Sequence, residues 1–200
     1  PNFIPCVLAH AEFLTENGKS SKAIEIIKKA WRLHPHPELV LPFGNGVKAE
    51  EGLSIFKATE QLVTTTRNHP ESLIALARAA LKAKLWGEAR RHLAAATSQN
   101  NIHQEARVCR LWAELEEYEN QNTQESRNWL KRASLASGDP AWVCTSCGNS
   151  VSESILCGNC KSFDKLKWDR PRHILPQSIS EEQNELALTD HGDSVAESTI

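Results

Sequence analysis

The sequence contains no methionine and begins at Pro1, so it reads as a piece of a longer protein whose preceding residues, including any signal or anchor, lie out of view. No apolar run approaches the ~18 residues that a bilayer-crossing helix needs, so this piece is expected to be soluble. Charge of one sign is also missing. The formal net charge is −2, which excludes a broad electrostatic pull toward nucleic acid or an anionic membrane. The sequence has no glycine-rich phosphate loop, no His-Glu-x-x-His and no Gly-x-Ser-x-Gly, which leaves no catalytic residues to nominate and an expectation that the chain is not an enzyme. Beyond His173 there is no lysine or arginine, while Glu181, Glu182, Glu185, Asp190, Asp193 and Glu197 make the end acidic. That composition cannot offset the entropy of ordering, so residues 173–200 are expected to be a disordered tail, dispensable for folding from about Gln177 to Ile200.

What is present divides sharply. Six cysteines occur, and four of them, Cys144, Cys147, Cys157 and Cys160, cluster as two Cys-x2-Cys pairs, whereas Cys6 and Cys109 stand alone in helical stretches and read as small buried hydrophobes. The clustering points to metal binding in a reducing compartment rather than to a disulfide framework. Each pair lets two thiolates point at one centre, and two facing pairs give a tetrahedral site. Four thiolates fill that shell and leave no position for a catalytic water, so the site is structural and zinc is the first choice. Iron in a rubredoxin-like electron-transfer site is the alternative, with Trp142, Phe163 and Trp168 packed around it.

Residues 1–137 read as helix after helix, with apolar residues at helical spacing and few β-branched runs. A unit repeats: Val7-x2-His10-Ala11-x2-Leu14, Gly18, then Ala23-x3-Ile27-x2-Ala30-x4-Pro35. It returns as Ala58-x3-Leu62-x2-Thr65-x4-Pro70, as Leu73-x2-Leu76-Ala77-x2-Ala80 with Ala89-x3-Leu93-x2-Ala96, and as Ser126-x3-Leu130-x2-Ala133. The anchors 23, 58, 89 and 126 lie 35, 31 and 37 residues apart. Small residues such as Ala11, Ala23, Ala77 and Ala89 permit close approach of antiparallel helices, bulky ones such as Leu14, Ile27, Leu76 and Leu93 fill the layer between pairs, and Pro35 and Pro70 end repeats. This part resembles the tetratricopeptide-repeat family, with its roughly 34-residue period. Pro42, Gly44 and Gly46 erode the first helix of the second unit, where a loop is expected to replace part of it. The fold expectation is all-α: a helical-hairpin solenoid over 1–137, a zinc-ribbon or rubredoxin-like module over 138–172, and the tail over 173–200.

A helical array followed by Asp139-Pro140-Ala141-Trp142-Val143-Cys144, a second cysteine pair and Phe163-Asp164-x-Leu166-x-Trp168 is similar to the HemY-type proteins of alphaproteobacteria. It also resembles, in domain order, the LapB-type lipopolysaccharide assembly proteins. The resemblance implies an upstream membrane anchor, a position on the cytoplasmic side of a bacterial inner membrane, and a non-enzymatic scaffold that assembles or regulates a biosynthetic pathway of haem or cell envelope. The second pair departs from the pattern, since Gly158-Asn159 and Lys161 stand where proline and glycine are usual.

Other residues divide between solvated and buried expectations. His34 and His36 sit at an inter-repeat turn and are expected to face water. Trp86, Trp112 and Trp129 read as repeat packing, and Glu50-Glu51 and Glu116-Glu117 as solvated faces. Lys161, Lys165, Lys167, Arg170 and Arg172 could suit a nucleic-acid-binding zinc ribbon, a reading that the acidic tail and net charge weigh against. In a tetratricopeptide array the first helices line the groove that receives a partner. That places Arg78, Lys82, Arg107 and Arg110 there as a basic stripe for an acidic segment or C-terminal carboxylate of another protein, with pairing to nearby glutamates such as Glu114 as the alternative.

Overall fold

The computed structural model describes residues 3–98, 105–136, 138–151 and 156–171; the acidic tail lies outside them. Eight helices come first: α1 (Ile4–Glu16), α2 (Ser20–Leu33), α3 (Val40–Gly46, preceded by a 3-10 turn over Pro37–Leu39), α4 (Gly52–Leu62), α5 (Pro70–Lys82), α6 (Trp86–Thr97), α7 (Ala106–Asn120) and α8 (Thr123–Leu135). Three short strands follow, β1 (Ala141–Cys144), β2 (Ser150–Val151) and β3 (Leu166–Asp169), in the order β2-β1-β3 with both pairings antiparallel. The all-α expectation is therefore corrected: helices dominate, and a small sheet follows in which β1 ends at Cys144, with the other three cysteines in turns beside it. None of the described helices is long and apolar enough to cross a membrane.

The helices pack as consecutive hairpins, and the repeated small residues explain why. Ala11, Ala23, Ala58, Ala77, Ala89 and Ser126 are all buried, and Leu14, Ile27, Leu76 and Leu93 fill the space around them. The hairpin turns share one device. Gly18, Lys48 and Lys84 take left-handed backbone (φ 71°, 56° and 57°) just past α1, α3 and α5. Each is followed by the same bond back across the helix end: Lys19 N–H to Leu14 O at 2.8 Å, Ala49 N–H to Gly44 O at 2.9 Å, Leu85 N–H to Ala80 O at 2.9 Å. These satisfy carbonyls that the helix end would otherwise orphan. Gln121 (φ 50°) marks the α7–α8 turn in the same way.

The second unit keeps its first helix in shortened form. Pro42 falls in the first turn of α3, where its missing N–H is no loss. Gly52 opens α4 against the end of α5: a Cβ there would stand 2.6 Å from Lys82 O, so only glycine lets the two ends meet. The fourth unit strays from its pattern. Leu130 is 50 % exposed and Leu135 81 %, and α8 packs instead through Trp129, stacked on buried Trp112 with centroids 5.3 Å apart. Trp86 is partly buried and stacks on Tyr118. Cys109 is buried as expected, but Cys6 is exposed on α1.

Candidate metal centre and the surfaces around it

The two cysteine pairs fold into matching turns. In the first, Cys144 N–H bonds Asn149 O at 2.9 Å and Gly148 N–H bonds Cys144 O at 2.8 Å; in the second, Cys157 N–H bonds Ser162 O at 3.0 Å and Lys161 N–H bonds Cys157 O at 2.9 Å. Lys161 (φ 58°) adopts the left-handed backbone that Gly148 (φ 71°) adopts in the first turn. The departure from the family pattern thus leaves the turn regular, at the cost of placing a side chain where glycine is unstrained. Thr145 fixes the first turn to the sheet, its N–H and hydroxyl both donating to Lys165 O at 2.7 and 3.1 Å.

All four sulfurs lie within 4.8 Å of one another, with Cys144–Cys160 and Cys147–Cys157 at 3.6 Å. Those separations are too long for disulfides, which need about 2.05 Å. Metal–sulfur bonds of about 2.3 Å in a tetrahedron put sulfurs about 3.8 Å apart, so the set fits one metal ion with an adjustment of about 1 Å at most along its longer edges.

The surroundings favour thiolate at Cys144 and Cys160 and oppose it at Cys157. Burial pushes the Cys144 thiol up, but the amide groups of Cys147 and Ser146 outweigh it and hold the thiol below its ordinary range. The hydroxyl of Ser162, then its amide, hold Cys160 down to about 6. Cys157 receives the amides of Cys160 and Asn159, yet burial and the neighbouring thiols keep it above the ordinary value. Asn159 also donates from Nδ2 to Cys147 Sγ at 3.7 Å, tying one turn to the other. Sequence reasoning passed over Ser162 and Asn159; a hydrogen-bonding side chain inside or just after the second pair was the available signal.

The sheet docks on the helical body through groups far apart in sequence. Trp142 and Trp168 face each other across β1 and β3 with centroids 5.4 Å apart. His36 stacks on Trp142 at 5.4 Å and meets Trp168 edge-on at 4.3 Å. Trp142 Nε1 donates to both carboxylate oxygens of Glu38 at 3.1 and 3.3 Å. His36 is therefore 5 % exposed rather than solvated; burial, reinforced by the charge of Arg107, lowers its pKa to about 4. His34 is exposed. Phe163 is 67 % exposed, so it does not shield the sulfurs, and the two tryptophans pack on the body.

The four cations of the expected stripe have different fates. Arg107 is only 8 % exposed. Its Nη1 donates to Glu71 Oε2 at 2.8 Å, its Nη2 to the other Glu71 oxygen, and its Nε to Glu105 Oε2 at 2.7 Å. Glu105 in turn accepts from Arg170 of the module at 2.7 Å. Arg110 is exposed and pairs with Asp139. Arg107 and Arg110 thus brace the structure, with carboxylates other than Glu114. Arg78 and Lys82 are exposed on α5 and pair with no carboxylate among the described residues. Arg78, Lys82 and Arg107 line one depression, floored by Val40, Ile55 and Ile74, to which α3, α4, α5 and α7 all contribute. Glu116 likewise leaves its expected solvated face: it is buried and bonds Arg90 at 3.0 Å.

No protein-family model matches the chain. Over 170 residues it is 30 % identical to a protein of Magnetospirillum gryphiswaldense described as "Probable magnetosome protein Mms48", an alignment that takes in 84 % of this chain and 37 % of that relative. The chain thus spans little more than a third of the length of the curated relative it matches.

Proposed function

We propose that the chain is a protein-interaction scaffold, part of a larger membrane-associated protein, in which tetratricopeptide-type hairpins present a groove and the four cysteines hold one structural zinc ion. One observation carries the reading: α3, α5 and α7, the first helices of successive hairpins, converge with Ile55 of α4 on a depression rimmed by Arg78 and Lys82, which pair with no carboxylate among the described residues. An apolar floor with a cationic rim suits an acidic peptide segment that carries one or two apolar side chains. The zinc ion would be held by Cys144, Cys147, Cys157 and Cys160, and would supply folding energy to a module too small to build its own core. The pathway served follows from the resemblance (haem or cell envelope), to which the relative's description adds a magnetosome setting.

The test is affinity capture of the longer protein from its native membrane, in parallel with a variant carrying Arg78→Glu and Lys82→Glu. Loss of specific captured proteins in the variant, with metal content and folding unchanged, is the expected outcome. Capture of the same proteins at the same strength in low salt would overturn the groove reading.

A further inference from the structure

We propose that the chain's own acidic segment, centred on residues 181–188, occupies the Arg78–Lys82 groove and competes there with external partners. This deepens the groove reading and rests on it. Arg78 and Lys82 lie one turn apart on α5, so their charges add at one rim, and Arg107 contributes little net charge because Glu71 and Glu105 neutralise it. Residues 174–200 hold six carboxylates and no cation, and within them Glu181-Glu182-x2-Glu185 runs directly into Leu186-Ala187-Leu188. Acid followed by aliphatic matches a charged rim beside an apolar floor.

The root of the segment lies next to the groove. The last described residue is Pro171, and its neighbour Arg170 bonds Glu105 at 2.7 Å, whose other oxygen bonds Arg107 at 2.7 Å. Arg107 lines the groove with Arg78. Arg170, beside the last described residue, therefore stands two ion pairs away from the groove. Glu181 lies ten residues along the chain from Pro171, with nine between. A stretch of that length reaches at most about 33 Å. A tether of that length holds the acidic residues at an effective concentration on the order of millimolar, so a weak contact suffices. The cations of the metal module are also near, but Lys167 is paired with Asp169 at 2.9 Å and Lys161 Nζ bonds Gly158 O at 2.9 Å.

The experiment compares amide chemical shifts of the metal-loaded chain with those of a chain ending at Pro176, and adds a synthetic peptide of residues 177–200 to each. The expected differences fall on Ala75, Arg78, Ala79 and Lys82, are independent of protein concentration, and vanish in about 0.5 M salt. The peptide should reproduce them in the shortened chain and bind the full chain about tenfold more weakly. Arg78→Glu with Lys82→Glu should abolish both effects, and Lys165→Glu neither. Identical groove shifts in the two chains would overturn the proposal. So would differences confined to Lys165 and Lys167, or differences that fade on dilution, which would assign the contact to a second copy. If the groove responds to the segment but capture finds no partner, the scaffold reading falls and this one stands; partner capture without groove shifts gives the reverse.

Discussion

Arg107 offers the sharpest separation between a residue that binds a partner and one that holds the body together. Its guanidinium makes a two-pronged contact with Glu71 and a third bond to Glu105, and all three side chains are largely buried, at 9 %, 14 % and 7 % exposure. Arg107→Ala would leave the Glu71 carboxylate out of water with no cation and would leave Glu105 with Arg170 alone. Breaking a buried pair from one side costs about 3–5 kcal/mol, a large fraction of the 5–15 kcal/mol that typically stabilises a domain. Replacing Arg107→Met, Glu71→Gln and Glu105→Gln removes the buried charges together, leaves only the half-exposed Arg170 without its partner, and should recover most of that loss. Arg107→Lys should fall between, because an ammonium cannot reproduce the fork. Urea unfolding of the metal-loaded protein, followed by tryptophan fluorescence, gives the three values from midpoints at constant slope. A loss below about 1 kcal/mol for Arg107→Ala would refute the argument and return Arg107 to the groove as a solvated cation.

Three further outcomes follow from the site and its supports. Elemental analysis of protein from metal-replete cells should give one zinc per chain, lost in Cys144→Ser with Cys157→Ser; stoichiometric iron would replace the structural reading by the electron-transfer one. The folded imidazole of His36 refuses a proton until about pH 4, whereas the unfolded one accepts it near 6.5. Its contribution is therefore complete above about pH 6.5 and declines by up to roughly 3 kcal/mol as pH falls to about 4; the difference in stability between the parent and His36→Phe should follow that window, and a flat difference would sink the assignment. Lys48→Gly and Lys84→Gly should each raise stability by about 0.5–1 kcal/mol, since both lysines take left-handed backbone that glycine adopts without strain; a loss in thermal midpoint for both would show that their side chains matter more than their backbones.

Local requirements were legible in the sequence. Close helix packing demands small residues at fixed positions, so Ala11, Ala23, Ala77 and Ala89 announced the hairpins, and the spacing of four cysteines announced that their sulfurs would gather at one point able to hold a metal ion. The turns were half legible. Gly18 declared itself, but Lys48, Lys84 and Gln121 adopt the same conformation without the residue type that signals it. What depends on distant chain was not legible. Nothing near His36 shows that two tryptophans more than a hundred positions later will cover it, and Arg107 reads as a groove cation until Glu71 and Glu105 are seen around it. The exposed Leu130 has a related cause: α8 pairs through Trp129 and Trp112, a stacking that shifts its buried face away from the repeat's own register.

The docking of the sheet on His36 and Glu38 has a consequence for how the molecule comes apart. An array of hairpins touching only their neighbours can fray from either end, unit by unit. Here the Trp142–Glu38 bond joins positions 104 apart, and Arg170–Glu105 and Arg110–Asp139 fasten the same module to the last hairpin. The module acts as a clasp between an early turn and a late helix, so the intervening hairpins cannot melt without opening it. Closing so long a loop is entropically slow and must await the cysteine turns. With a metal held by the four cysteines, folding should then wait on its capture and unfolding should run as a single event, which would tie the lifetime of the entire groove to four sulfur atoms on its flank.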